Sequence, residues 1–141
     1  MLDASTLASI ASIIAGFGAA ILVFRLQREL QMDEKGEPTW IAFADWLIFA
    51  ATLTSLLLVI FPIVVFDLSS GFFSQLPPAS CAAASLMVAG YIPSIFAHYR
   101  LIWGKNRTGQ RENPEPAERV LVWLTFLIAS VVFVLIFADI L

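Results

Sequence analysis

Asp45, His98 and Arg100 are the side chains of this 141-residue chain best placed to do chemistry. The histidine is the only one. It lies in Phe96-Ala97-His98-Tyr99-Arg100, where a long apolar run ends. Asp45 lies where another begins, and Thr52 and Ser55 follow it as a modest polar stripe. An ionisable group just inside a membrane is costly unless it is paired or reaches water. Asp45 is therefore expected to pair with Arg100 or His98, with Arg25 as a further candidate partner. Lining a path, Asp45, Thr52, Ser55, His98 and Arg100 would make an ion or proton site at a cytoplasmic mouth. An imidazole there can switch charge near neutral pH. Otherwise the same residues form a collar, with Arg25 and Arg100 reaching headgroups and Asp45 neutralised nearby. Charges near helix ends cost far less than central ones, which favours the collar.

Other chemistry is poorly supplied. The chain has no Gly-rich phosphate loop, HExxH or nucleophile elbow. One histidine and one cysteine cannot build a conventional zinc site in a single chain. No metal and no cofactor are expected. A lone Cys81 excludes an intrachain disulfide and reads as a small apolar packing residue. Acids offset the bases in the basic loops, so nucleic-acid binding is not expected.

The elements that must position these residues follow from composition. The chain is 60% hydrophobic and 13% charged, where a soluble domain carries about 25% charge. Its apolar residues fall into four runs: Leu7–Phe24, Trp46–Phe66, Ala79–Ala97 and Val120–Phe137. About 20 helical residues cross the hydrocarbon core, and a helix satisfies its own backbone there. The sequence predicts an all-α polytopic membrane protein with four transmembrane helices in one domain. The first run lacks a positive leader and follows Asp3, so it reads as a retained helix.

All eight basic residues fall between runs one and two or between runs three and four. The positive-inside rule puts both loops in the cytoplasm and both termini on the other side. Trp40, Trp46, Trp103 and Trp123 are expected at the cytoplasmic boundary, and Phe72 and Phe73 at the outer one. The outer acids Asp3, Asp67 and Asp139 carry the whole net charge of −3. The pattern suits a multi-pass protein of a cell membrane, such as a bacterial inner membrane. A glycosylation sequon at Asn106-Arg107-Thr108 is discounted, because it falls on the cytoplasmic side.

Helix ends are also legible. Asp3–Ser5 supplies caps. The first helix should continue past the membrane from Leu26 to about Glu34 and stop at Gly36. The second should open at Glu37-Pro38 and kink near Pro62. The third should follow Pro77-Pro78, carry Pro93 inside and stop near Gly104. The fourth should open at Asn113-Pro114-Glu115 and run almost to Leu141.

Ala8, Ser12, Gly16 and Ala20 recur at spacings of four on the first helix, as do Cys81, Ser85 and Ala89 on the third. Small residues let membrane helices approach closely. Helices one and three are therefore expected at protein contacts, and the bulkier two and four toward lipid. Boundary residues repeat at offsets of 75 (Phe24 to Tyr99), 78 (Glu37 to Glu115) and 77 (Trp46 to Trp123). A parallel duplication and convergent boundary chemistry explain this equally well. These readings predict a non-enzymatic subunit in the lipid bilayer, assembling through small-residue faces into a homo-oligomer or a larger membrane complex. The alternative is a small homo-oligomeric ion channel or transporter.

Overall fold

In the computed structural model the four apolar runs form four helices long and apolar enough to cross a membrane. They are α1 (Ala4–Glu34), α2 (Asp45–Val65), α3 (Leu76–His98) and α4 (Pro116–Phe137). A 3-10 turn, Phe72–Gln75, leads into α3. The structure describes residues 3–36, 42–66, 72–101 and 115–140. Outside them lie Glu37-Pro38, Trp40, Asp67, Trp103, Gly104, Asn106-Arg107-Thr108 and Asn113-Pro114, with the side chains of Phe72 and Phe73.

Asp3 caps α1, its carboxylate accepting the Thr6 N–H at 2.8 Å. The helix has 31 residues, or about 46 Å at 1.5 Å per residue. That exceeds the roughly 30 Å of hydrocarbon, so its last turns stand clear, as expected. It stops at Gly36, whose φ of +67° is the left-handed conformation glycine tolerates. In α2, the segment Ser55–Ile60 adopts π-helical turns just before Pro62, and the Phe61 N–H reaches back to Leu56. A proline lacks an N–H and crowds the carbonyl one turn earlier. The disturbance expected at Pro62 takes this wider form.

Two expected helix ends move inward. α3 stops at His98, not near Gly104. Arg100 takes the left-handed position (φ +54°) that glycine usually fills. Its N–H bonds the Ala97 carbonyl, and the Leu101 N–H bonds that of Phe96. α4 stops at Phe137 in the same way, with Asp139 at φ +57°. A backbone-closed turn can end a helix without glycine, which residue type alone does not announce.

α3 packs on each of the other three helices, and α1 packs on α2 and α3. The bulky residues that point α2 toward lipid, Leu56, Leu57, Leu58 and Phe61, are exposed as expected, but α2 also buries a face of Leu47, Ile48, Ala51 and Val59. α4 does remain largely exposed, burying only Glu118, Val122 and Ala129. The face of α1 that packs within the chain is Leu7, Ala11, Ala15 and Gly18. Ser12, Gly16 and Ala20 point out of the fold, as do Ser85 and Ala89, and Ala8 is half-buried. Cys81 is buried among Leu7, Ala11 and Val59, as a small apolar residue should be.

Two crossings are very close. A Cβ added to Gly18 would overlap the Thr52 hydroxyl, and one added to Gly90 would overlap that of Thr125. Each threonine hydroxyl donates back to a carbonyl one turn earlier, Ile48 or Leu121, at 2.8 Å. The hairpins α1–α2 and α3–α4 thus interlock by the same device. The offsets are 72 residues (Gly18 to Gly90) and 73 (Thr52 to Thr125).

Candidate functional site: paired acids and bases at one end of the bundle

Glu118 is fully buried in the first turn of α4. One carboxylate oxygen accepts the Ala44 N–H at 2.8 Å, and the other lies 2.9 Å from Nδ1 of His98. His98 is itself 2% exposed. Asp45, at the start of α2, takes the Arg25 Nε–H from α1 at 3.1 Å. The Tyr91 hydroxyl of α3 reaches its other oxygen at 3.5 Å. Arg100 donates to Glu115 at 2.9 Å.

A phenol ties the first and third helices together. The Tyr99 hydroxyl accepts from Nη1 of Arg25 at 3.0 Å and from Nη1 of Arg28 at 2.8 Å. The Arg28 guanidinium also lies over the Tyr99 ring, 5.8 Å from its centroid. Asp45 lies within electrostatic reach of His98 and Glu118, which brings the Arg25–Asp45 and His98–Glu118 pairs together. Four basic side chains, Arg25, Arg28, His98 and Arg100, thus meet three acids, Asp45, Glu115 and Glu118, at this end.

The placement follows the spacing from the two crossings. Arg25 follows Gly18 by seven residues, and His98 follows Gly90 by eight. Asp45 precedes Thr52 by seven, and Glu118 precedes Thr125 by seven. Seven residues are about two helical turns, so Arg25, Asp45 and Glu118 each share a face with the crossing residue of their own helix, while His98, at eight, is turned about 80° from Gly90. Each hairpin therefore carries a base–acid pair about two turns from its glycine–threonine crossing.

Asp45 and His98 do come together, but not as partners. The expected Asp45–Arg100 and Asp45–His98 pairs are replaced by Arg25–Asp45, His98–Glu118 and Arg100–Glu115. Thr52 meets α1, with its hydroxyl tied to its own helix. Ser55 is fully buried, and its Oγ has no hydrogen-bond partner. The two extend away from the cluster along α2. Glu118 was missed, because an acid in a first helical turn reads as a favourable end charge. Its signal was the seven-residue spacing to Thr125, matching that of Asp45 to Thr52.

Paired in this way, Asp45 links α2 to α1, and Glu118 links α4 to α3 and to Ala44 at the start of α2. Among the described residues no group of three or more His, Cys, Asp or Glu could hold a metal ion. No family model, curated protein or solved structure matches the chain.

Proposed function

We propose that this protein is a non-enzymatic integral membrane subunit that assembles, as a homo-oligomer or within a larger membrane complex, through its outward small-residue faces. Both termini face away from the cytoplasm, and the acid–base cluster lies at the cytoplasmic end of the bundle. The membrane is a cell membrane of the bacterial inner-membrane kind, as the distribution of bases suggests.

The observation that carries the reading is the contrast between two glycines on α1. Gly18 is small because Thr52 sits against it. Gly16 has nothing within 4 Å of where a Cβ would be, and Ser12 and Ala20 beside it are exposed. Lipid tails do not require small residues, whereas close helix packing does. The ionic cluster supports the same reading, because its groups serve contacts inside the chain.

The test is co-expression of two differently tagged copies. Capture on one tag in mild detergent retains the other tag if the protein self-assembles. Loss of the second tag at every protein concentration would leave only assembly with a different chain.

A second reading, a small channel or transporter with a proton site, draws on the burial of His98 and Glu118 at a helix end. Thr52 and Ser55 give it less support than the sequence did, because Thr52 is engaged with α1 and its own backbone. Unchanged pH-dependent flux in Asp45→Asn and His98→Ala proteoliposomes rejects it.

A further inference from the structure

α3 buries two faces, and α1 buries only the equivalent of one. At the 72-residue offset, Ala79, Ala83 and Gly90 on α3 correspond to Leu7, Ala11 and Gly18 on α1. Gly18 and Gly90 both lie against the second helix of their own hairpin. The second face of α3 includes Cys81, Ala84, Tyr91 and Ile95 and packs toward the first hairpin. Cys81 shares a core cluster with Val59 of α2. Tyr91 and Ile95 pack on the cluster that holds Leu47 of α2 and Val122 of α4, and the Tyr91 hydroxyl reaches Asp45 of α2 at 3.5 Å. The α1 equivalents of those four residues are Ser9, Ser12, Ala19 and Val23, and all four are exposed.

The other half of the contact is free as well. At the 73-residue offset, Leu47, Ala51 and Ser55 of α2 correspond to Val120, Leu124 and Ile128 of α4. The α2 residues are buried, while Val120, Leu124 and Ile128 are 65%, 48% and 45% exposed. One copy of the chain therefore shows both halves of an interface it already uses internally, on opposite hairpins.

From this we infer that a second copy of this chain docks head to tail, its α1 lying on α4 of the first as α3 lies on α2 within one chain. This rests on the self-assembly reading and specifies its geometry. Within the chain, Tyr91 and Ile95 of α3 pack on the cluster that holds Leu47 of α2. Between chains, small Ser12, Gly16 and Ala19 of α1 meet bulky Val120, Leu124 and Ile128. The helix directions also agree, because α1 and α3 run the same way across the membrane, opposite to α2 and α4. Such a contact is heterologous, and its repetition in the plane of a membrane gives a ring where the rotation between copies closes.

The experiment is disulfide trapping in a Cys81→Ala background. Val59 and Cys81 translate to Val132 and Ser9. Ser9→Cys and Val132→Cys are placed on separately tagged copies, co-expressed, and oxidised in native membranes. A cross-linked product carrying both tags, with little product from either variant alone, is expected. The Ser9→Cys, Val132→Cys double variant should give a ladder that ends at one closed size. A dominant product from Ser9→Cys alone means a two-fold contact and overturns the inference. So does an intact oligomer with no mixed product, and in that case self-assembly itself stands. Gly16→Leu, whose side chain enters open space in one chain, should abolish the mixed product while the monomer stays folded. If capture of differently tagged copies also fails, the assembly reading falls together with this geometry.

Discussion

Glu118 is the most demanding residue in the fold, because no water reaches it and two neighbours depend on it. Glu118→Ala leaves the Ala44 N–H without an acceptor and His98 without its carboxylate. Removing one partner of a buried pair costs about 3–5 kcal/mol. Asp45 is half-buried, and its side chain retains 15% exposure. Asp45→Ala should therefore cost less, because water can reach the freed guanidinium. Unfolding in graded denaturing detergent should rank Glu118→Ala well below Asp45→Ala, with His98→Ala sharing most of its loss in a double-mutant cycle. Equal losses, or additive ones for Glu118 and His98, would contradict the contact. Asp3 behaves differently, since it is fully exposed. The Thr6 hydrogen bonds hold its carboxyl below the ordinary 3.8. A carboxyl lowered in the fold stabilises it above 3.8 and loses that contribution as pH falls through the lower folded value. Titration of the Asp3 carboxyl by NMR should show the lowered midpoint, and Thr6→Pro, which removes the donor N–H, should raise it. The sequence showed that ionisable groups gather near helix ends, and it named Asp45, His98, Arg100 and Arg25. Arg25, named as a further candidate, is the partner Asp45 takes, whereas the pairings put first, with Arg100 or His98, do not form; depth along a helix can be counted from a boundary, but the azimuth of each helix depends on packing. Arg25 won Asp45 because α1 and α2 are locked face to face at Gly18 and Thr52.

At the scale of helices, the two glycine–threonine crossings set the spacing of each hairpin. A larger side chain at either glycine forces the crossing apart, and overpacking of this kind costs about 1–3 kcal/mol. Gly18→Ala and Gly90→Ala should each destabilise the fold, despite alanine's helix preference of about 1 kcal/mol over glycine. Thr52→Ala should rescue the first variant and Thr125→Ala the second. Gly16→Ala should leave monomer stability unchanged or raise it, since nothing lies near its Cβ position. Thermal melts of the five variants check this set, and a Gly18→Ala protein as stable as the wild type would remove the crossing from the account. The four helices and the α1 extension were readable from hydropathy, because length and polarity alone decide whether a segment spans. The buried face of α2 was not. The bulky residues of that helix suggested lipid, and Leu56, Leu57, Leu58 and Phe61 are exposed, yet Leu47, Ile48 and Val59 are core. Size does not separate lipid from protein interior, because both are apolar. The small residues of α1 form two adjacent stripes, and the sequence does not say which one packs inside the chain: Ala11, Ala15 and Gly18 do, while Ser12, Gly16 and Ala20 point outward.

For the molecule as a whole, the two hairpins carry the same glycine–threonine crossing and a base–acid pair near it, as either a duplication or convergent boundary chemistry would give. On the head-to-tail reading proposed above, one interface half stays open on α1 and another on α4. The central claim is that those halves are occupied by further copies. The most direct test is the native mass of the purified protein in lipid discs. A single defined homo-oligomer is predicted, reduced to monomer by Gly16→Leu but retained in Gly36→Ala. A monomer at all lipid ratios and protein concentrations would contradict the claim.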